Sequence, residues 1–289
     1  MKAGFVNIFG KPNAGKSTLM NALMGEKLAI VSPKVQTTRH RIKGIITEPG
    51  FQIVFSDTPG IIDPRYKLHE KMMMAVKSAL EDADIALLIA DVESDPKEEI
   101  GLFSSLQLKA KTILILNKID KLKDGNLEEV IETYKNSGIA SDIIPVSAIQ
   151  GINLDTLLKK IVEYLPESEP FYTGDDLSDL PTKFFVGELI REKIYELYEE
   201  EIPYHTAVVV SEFKEKATLI KIRAEIIVQR ESQKAIIIGE KGRSIKQLGT
   251  ISREEIEKFL GQKVFLELFV KVRPKWRDNE QMLREYGYH

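Results

Sequence analysis

The sequence contains no cysteine, which removes disulfides and thiolate metal centres from consideration. Only four histidines are scattered along its 289 residues, too few and too far apart to suggest an imidazole-rich metal site. No apolar run approaches the ~20 residues that a membrane span requires. The longest runs are short pieces such as IALLIA at 85–90. The opening MKAGFVNIFG enters a strand pattern directly, so no secretory leader is expected and the cytoplasm is the expected compartment. Internal repeats and low-complexity tracts are also absent, and there is a single tryptophan.

What remains is a composition of 43% hydrophobic and 29% charged residues, enough chain for two cores. The net charge of -3 hides an uneven distribution, because residues 214–277 hold 16 Lys or Arg against 8 Glu. A local excess of that kind suits an anion-facing surface, although a solvated face produces the same count.

Up to about residue 165, short β-branched and apolar runs alternate with longer amphipathic ones. This is the pattern of a mostly parallel sheet covered by helices. Strands are expected at 4–9, 42–47, 51–55, 85–91, 112–116 and 142–146, six in all, with EPG at 48–50 making the second and third an antiparallel hairpin. The stretch LPESEPFYTGDDLSDLPTK at 165–183 is rich in Pro, Asp, Ser and Gly, and within it residues 171–182 read as a linker between a domain at 1–170 and another at 183–289. The second domain predicts the order αββααβ, with helices at about 184–200, 232–238 and 243–260 and strands at 206–213, 218–229 and 263–272. It is an α+β unit.

The chemistry begins with GKPNAGKS, residues 10–17. Gly10, Gly15, Lys16 and Ser17 satisfy G-x-x-x-x-G-K-S where a strand turns into a helix. Successive backbone N–H groups in such a loop, added to the positive end of a helix dipole, form a concave phosphate site. Lys11, Pro12, Asn13, Ala14 and Thr18 complete the loop. Lys16 is expected on the outer phosphates and Ser17 on a Mg²⁺ ion. The α/β domain is therefore expected to be a P-loop NTPase.

Base choice is read from two further stretches. Asn117, Lys118 and Asp120 follow a buried strand in LILNKIDKL, and Ser147 with Ala148 follows another in IPVSA. A carboxylate in the plane of guanine accepts from its N1–H and exocyclic amine, a donor pair that adenine lacks. Asp120 is thus the expected guanine selector, with Asn117 buttressing the base edge, the Lys118 stem over its face and the Ala148 N–H on the guanine oxygen. In FSDTPGI, Asp57 at a strand end would hold Mg²⁺ through a water, the Gly60 N–H would sense a terminal phosphate, and Thr58 and Pro59 lie between them. Of the pair Thr37 and Thr38 in VQTTRHR, Thr38 is the one expected to complete the metal shell. Lys16, Thr38 and Gly60 are the expected catalytic contributors.

These pieces in this order resemble a translation-factor-class small GTPase domain. The QTTRHR loop, Asn13 and the stretch AIIIGEKGRSIKQLG at 235–249 extend the resemblance over the whole chain to the Era family of bacterial GTPases. That family joins a TrmE-Era-like GTPase domain to a C-terminal KH domain of the second topological type. In the expected KH domain Ile238, Gly239, Glu240, Lys241, Gly242 and Arg243 form a G-x-x-G turn, where missing Cβ atoms let a sugar-phosphate backbone approach. Lys246 adds charge there, and Ile236, Ile238 and Ile245 offer apolar contact to bases. Glu240 departs from the pattern, since a carboxylate repels phosphate. Lys275 and Arg277 add basic residues around Trp276, which reads either as a stacking edge or as a buried residue.

The resemblance implies hydrolysis of GTP to GDP and phosphate with Mg²⁺, and binding of the 3′ end of 16S rRNA during 30S subunit assembly under control of the nucleotide. It implies K⁺ at Asn13, a peripheral association with the inner membrane, and a monomer. Many GTPases place a water-orienting Gln after D-x-x-G, but this chain has Ile61, so slow intrinsic turnover is expected. Two other readings stay open: a non-catalytic RNA-binding scaffold that holds GDP or GTP, and an ATPase.

Overall fold

A computed structural model describes residues 1–122, 127–174 and 176–288. It divides into two units, one made of Met1–Asp63 with Met72–Asp179 and the other of Pro64–Lys71 with Leu180–His289. Asp175, inside the expected linker, lies outside the described residues.

The first unit runs β1 (Lys2–Phe9), α1 (Lys16–Met24), β2 (Ile42–Glu48), β3 (Phe51–Asp57), α2 (Lys67–Glu81, of which Lys67–Lys71 is assigned to the second unit), β4 (Ile85–Asp91), α3 (Pro96–Ser105), β5 (Lys111–Asn117), α4 (Leu127–Ser137), β6 (Asp142–Pro145) and α5 (Leu154–Tyr164). Its six strands lie in the order β2-β3-β1-β4-β5-β6. Only β2 runs against its neighbour, pairing Ile42 with Asp57 and Glu48 with Phe51 across the expected hairpin. Gly50 supplies the turn's positive φ of 101°, a conformation a side chain disfavours. Strand β4 reads IALLIAD and is buried along almost its full length because helices cover both faces of a parallel sheet. Helix α3 starts where Asp95 accepts from the Lys97 N–H and Pro96 occupies the first turn. With β1, β3, β4, β5 and β6 all pointing the same way, the loops after them emerge at one edge of the sheet, where open α/β sheets place their ligands.

Residues 166–179 are not a free tether. The fully buried side chain of Gln52 donates to Thr47 Oγ1 and to the Tyr172 carbonyl, both at 2.9 Å. Its Oε1 accepts from the Phe171 N–H at 2.7 Å and the Tyr172 N–H at 3.1 Å. Further along, the Leu177 carbonyl accepts from Ile45 N at 2.9 Å, Ser178 Oγ donates to the Lys43 carbonyl at 2.5 Å, and Asp179 pairs with Lys43 at 2.9 Å. The segment lacks a period, as its composition implies, but the Phe171, Tyr172 and Leu177 backbone groups named above still find partners.

The second unit carries α6 (Thr182–Leu197), α7 (Ile202–His205), β7 (Ala207–Glu215), β8 (Ile220–Val228), α8 (Glu231–Ile238), α9 (Arg243–Leu260), β9 (Val264–Val272) and α10 (Glu280–Glu285). The sheet order is β7-β8-β9, antiparallel then parallel. Val186, Ile190 and Ile194 of α6 share one core with Ile222, Ala224 and Ile226 of β8 and with Ile237, Leu248 and Ile256 of the later helices. The short α7 and α10 add to the expected αββααβ order. Trp276 is fully buried, donates its indole N–H to the His205 carbonyl at 3.0 Å, and packs against Tyr286 and Tyr288. Of its two sequence readings the stacking edge is excluded and the buried residue holds. Among the described residues no helix is long and apolar enough to cross a membrane.

Candidate functional site

At the carboxyl edge of the first unit's sheet lies a cavity of about 520 Å³. Asn13, Lys16, Ser17 and Thr38 line one part of it, and Asn117, Lys118, Asp120 and Ala148 another. Gly15 begins α1 at φ 100°, and a Cβ there would sit 2.2 Å from Asn117 Nδ2, so only glycine permits the phosphate-type loop and the β5 loop to approach this closely.

Lys16 is buried, and its ammonium donates to the carbonyls of Gly10 at 3.1 Å and Lys11 at 2.9 Å. Burial lowers its pKa to about 8, against the opposing pull of Asp57 and Glu99. Ser17 Oγ donates to Asp57 Oδ2 at 2.6 Å, Thr38 Oγ1 donates to the same oxygen at 3.0 Å, and the two hydroxyls are 2.9 Å apart. Burial raises the Asp57 pKa, opposed by Ser17, Lys16 and Thr38. Its other oxygen, Oδ1, is buried with no hydrogen-bond partner among the described residues. Three hard oxygens plus an unsatisfied carboxylate oxygen suit a small divalent cation.

Asn117 Nδ2 donates to the Ala14 carbonyl at 2.9 Å while its Oδ1 accepts from the Ala148 N–H at 3.1 Å. Ser147 Oγ donates to Asp120 Oδ1 at 2.5 Å, which steadies a carboxylate otherwise turned outward. Gly60 lies against Pro12, where a Cβ would meet proline atoms at 2.8 Å. The Ile61 N–H donates to the Gly10 carbonyl at 3.2 Å, and its side chain packs against the core that includes Phe9 and Val76.

Not every residue of the expected set faces the cavity. The Lys11 side chain turns to Glu98 at 2.9 Å and Glu99 at 3.5 Å, leaving its backbone as its contribution. Thr58 is buried and donates to the Ile8 carbonyl at 2.6 Å, bracing the chain behind Asp57. Conversely, Ile30, Val31, Ser32 and Pro33 line the cavity although the sequence motifs do not include them. Their one signal is an apolar Val31 that stays 42% exposed in the loop held at its base by Asn21.

In the second unit, the G-x-x-G turn joins α8 to α9. Gly239, Lys241 and Gly242 all have positive φ, at 70°, 50° and 76°. A Cβ on Gly239 would lie 2.6 Å from that of Ser244. Tyr198 fastens the turn from beneath, donating to the Ile237 carbonyl at 2.9 Å with Ser244 Oγ also at 2.9 Å. Lys241, Arg243 and Lys246 are exposed at the surface, as is Glu240, and Ile236 remains 52% exposed. Lys275 is exposed as well. Arg277 differs from expectation: its guanidinium lies over the ring of Tyr66, 4.3 Å from the centroid and within the same unit.

Comparison with known proteins fits both halves. Residues 5–118 match the family described as 50S ribosome-binding GTPase, and residues 201–277 match the KH domain family. The chain is 46% identical to the GTPase Era of Geobacter sp. (strain M21), over 99% of this chain and 98% of that protein. It is 44% identical to the GTPase Era of Geotalea uraniireducens (strain Rf4), with the same coverage. Among solved structures, Era in complex with MgGDPNP and nucleotides 1506-1542 of 16S ribosomal RNA superposes with a TM-score of 0.92 at 42% identity, covering 100% of this chain and 99% of that one. A point variant of Aquifex aeolicus Era bound to GDP.AlF4- gives 0.92 at 41%, with the same coverage. This chain belongs to the Era family of bacterial GTPases.

Proposed function

We propose that the chain hydrolyses GTP to GDP and phosphate, and that its second unit binds the 3′ end of 16S rRNA under control of the bound nucleotide during 30S subunit assembly. The observation that carries this reading is one shared cavity lined by Lys16, Ser17 and Thr38, the two hydroxyls bonded to the buried Asp57 behind them, and at another part by Asn117, Asp120 and Ala148. The full-length likeness to an Era solved with MgGDPNP and a 16S RNA segment supports it. On this reading residues 1–170 form the nucleotide domain and 183–289 the RNA-binding domain.

The P-loop N–H groups from Gly10 to Thr18, Pro12 excepted, hold the phosphates, and Lys16 transfers its hydrogen bonds from the Gly10 and Lys11 carbonyls to the outer ones. Ser17, Thr38 and Asp57 would hold Mg²⁺, which when bound supplies positive charge where the leaving oxygen develops negative charge. The Gly60 N–H faces the terminal phosphate, with Pro12 fixing the approach. Asp120 accepts from the guanine edge, and the Ala148 N–H, which donates to Asn117 Oδ1 in this structure, turns to the guanine oxygen. Asn13 donates its amide to the Pro33 carbonyl at 2.9 Å, which leaves its own carbonyl oxygen as a ligand for K⁺. Equal turnover in potassium and sodium buffers would remove that ion from the account.

Arg243, Lys241 and Lys246 meet the RNA backbone, Gly239 and Gly242 admit it, and Ile236 and Ile238 contact bases. Lys275 extends the basic surface, whereas Arg277, its guanidinium stacked on Tyr66, does not. The protein acts as a cytoplasmic monomer with a peripheral association with the inner membrane; sedimentation and salt extraction of membranes test those two points.

The core-packed Ile61 side chain favours a second reading, a scaffold that retains nucleotide without turning it over. Radiolabelled GTP separates the two. Wild type should release phosphate and Lys16→Ala should not, whereas a scaffold shows no difference. The RNA arm is tested by crosslinking and sequencing the bound RNA in the GTP and GDP states.

A further inference from the structure

Lys118 follows β5 in a left-handed conformation, φ 67°, which a non-glycine residue adopts at a cost. Its side chain lines the cavity and comes back toward the end of β4, where its Nζ stands 2.5 Å from Asp91 Oδ2. Asp91 and Asn117 are register partners in adjacent parallel strands. The Val92 N–H donates to the Asn117 carbonyl at 2.9 Å, so the two strand ends are fixed to each other before any ligand arrives. Asp91 is itself oriented, because its Oδ1 accepts from the Glu93 N–H at 3.1 Å. Both side chains are largely shielded, Lys118 at 23% exposure and Asp91 at 19%.

From this geometry we infer that Asp91 is a positioning residue for the base: it holds the Lys118 ammonium so that the aliphatic stem lies across the guanine face. The inference rests on the reading of this cavity as a guanine-nucleotide site. A lysine has four rotatable bonds, and an unanchored one would have to be ordered each time a nucleotide binds. Its unpaired ammonium would also compete for the carboxylate of the same NKID stretch, Asp120, which the base needs for itself. Asp91 removes both difficulties. An ordinary surface ion pair is worth little, but here the pair fixes where a ligand-lining side chain goes.

The test is the substitution Asp91→Asn, which keeps an oxygen for the Glu93 N–H and removes the charge. Dissociation of GDP and of GTP should quicken by the same factor, about tenfold, the size of one partly screened charge-assisted hydrogen bond. KM for GTP should rise by a similar factor while kcat at saturation stays at the wild-type value. The GDP-over-IDP preference should be unchanged, since in-plane recognition stays with Asp120. Added to Lys118→Ala, Asp91→Asn should have no further effect, and Asp91→Glu should restore part of the loss. Wild-type dissociation rates in Asp91→Asn, or full additivity with Lys118→Ala, would overturn the inference. Failure of the wild-type protein to bind GDP or GTP at all would instead overturn the guanine reading of the cavity.

Discussion

Asn117 donates through Nδ2 to the Ala14 carbonyl at 2.9 Å and thereby ties the loop after β5 to the loop after β1, a span of 103 residues in sequence. The same amide accepts from the Ala148 N–H, so one side chain joins three loops of the site.

Removing that amide should disable the site and weaken the fold together. Asn117→Ala leaves the buried Ala14 carbonyl and Ala148 N–H without their partner, at about 1–3 kcal/mol for each unsatisfied group. The expected outcome is a nucleotide affinity at least tenfold lower and a loss of about 2 kcal/mol or more in denaturant unfolding of the free protein. Gly15→Ala should resemble it, since its Cβ would fall 2.2 Å from the same nitrogen.

The segment at 166–179 should behave as part of the first unit. Gln52→Ala deletes four hydrogen bonds in a fully buried position and leaves the Phe171 and Tyr172 backbone without them. A stability loss of about 2–3 kcal/mol is expected, together with faster protease cleavage near residue 172. A cleavage pattern identical to wild type would mean the strap is held by something other than Gln52.

The G-x-x-G turn separates two kinds of defect. Gly239→Ala combines a positive φ of 70° with a Cβ 2.6 Å from that of Ser244, so it should destabilise the second unit by about 1–3 kcal/mol. At Gly242 a Cβ meets nothing within 4 Å. Gly242→Asp should therefore leave GDP affinity unchanged while abolishing binding of a 16S 3′-end oligonucleotide, through strain and through an acid beside phosphate. Fluorescence anisotropy reads both ligands.

Acid should loosen the second unit in a defined window. Glu257 accepts from the Val264 N–H at 3.0 Å and pairs with Arg253 and Lys263, and these contacts hold its pKa down at about 2. A carboxylate depressed in the folded state adds stability that is complete above its unfolded value of 4.5 and is lost as pH falls from there toward about 2. Glu257→Gln should flatten the pH dependence of unfolding across that interval and leave it unchanged above it.

Sequence and structure meet most closely where chemistry demands fixed residue types at fixed spacing. Gly15, Lys16, Ser17, Asp57, Asn117, Asp120 and Ala148 are legible because phosphate, divalent metal and guanine each require a particular donor or acceptor at a strand end. The strap is illegible for the opposite reason. Its Pro, Gly, Ser and Asp content signals the absence of a period, and nothing in that composition reveals that a glutamine at 52 will bury its amide against it. Asp91 reads only as the end of a strand, since its role depends on Lys118 folding back across the sheet edge. Arg277 reads as one more basic residue until its contact with Tyr66 is in view.

The central claim is that Asp120 selects guanine in the same cavity where Lys16 and its neighbours hold the phosphates. Its most direct test is the nucleotide preference of Asp120→Asn, measured as kcat/KM for GTP and XTP. Xanthine carries a carbonyl where guanine carries the exocyclic amine, so an amide N–H in place of the carboxylate should favour it. The account predicts that GTP turnover falls by about a hundredfold or more, while XTP turnover rises above the wild-type value. Retained preference for GTP in that variant would contradict it.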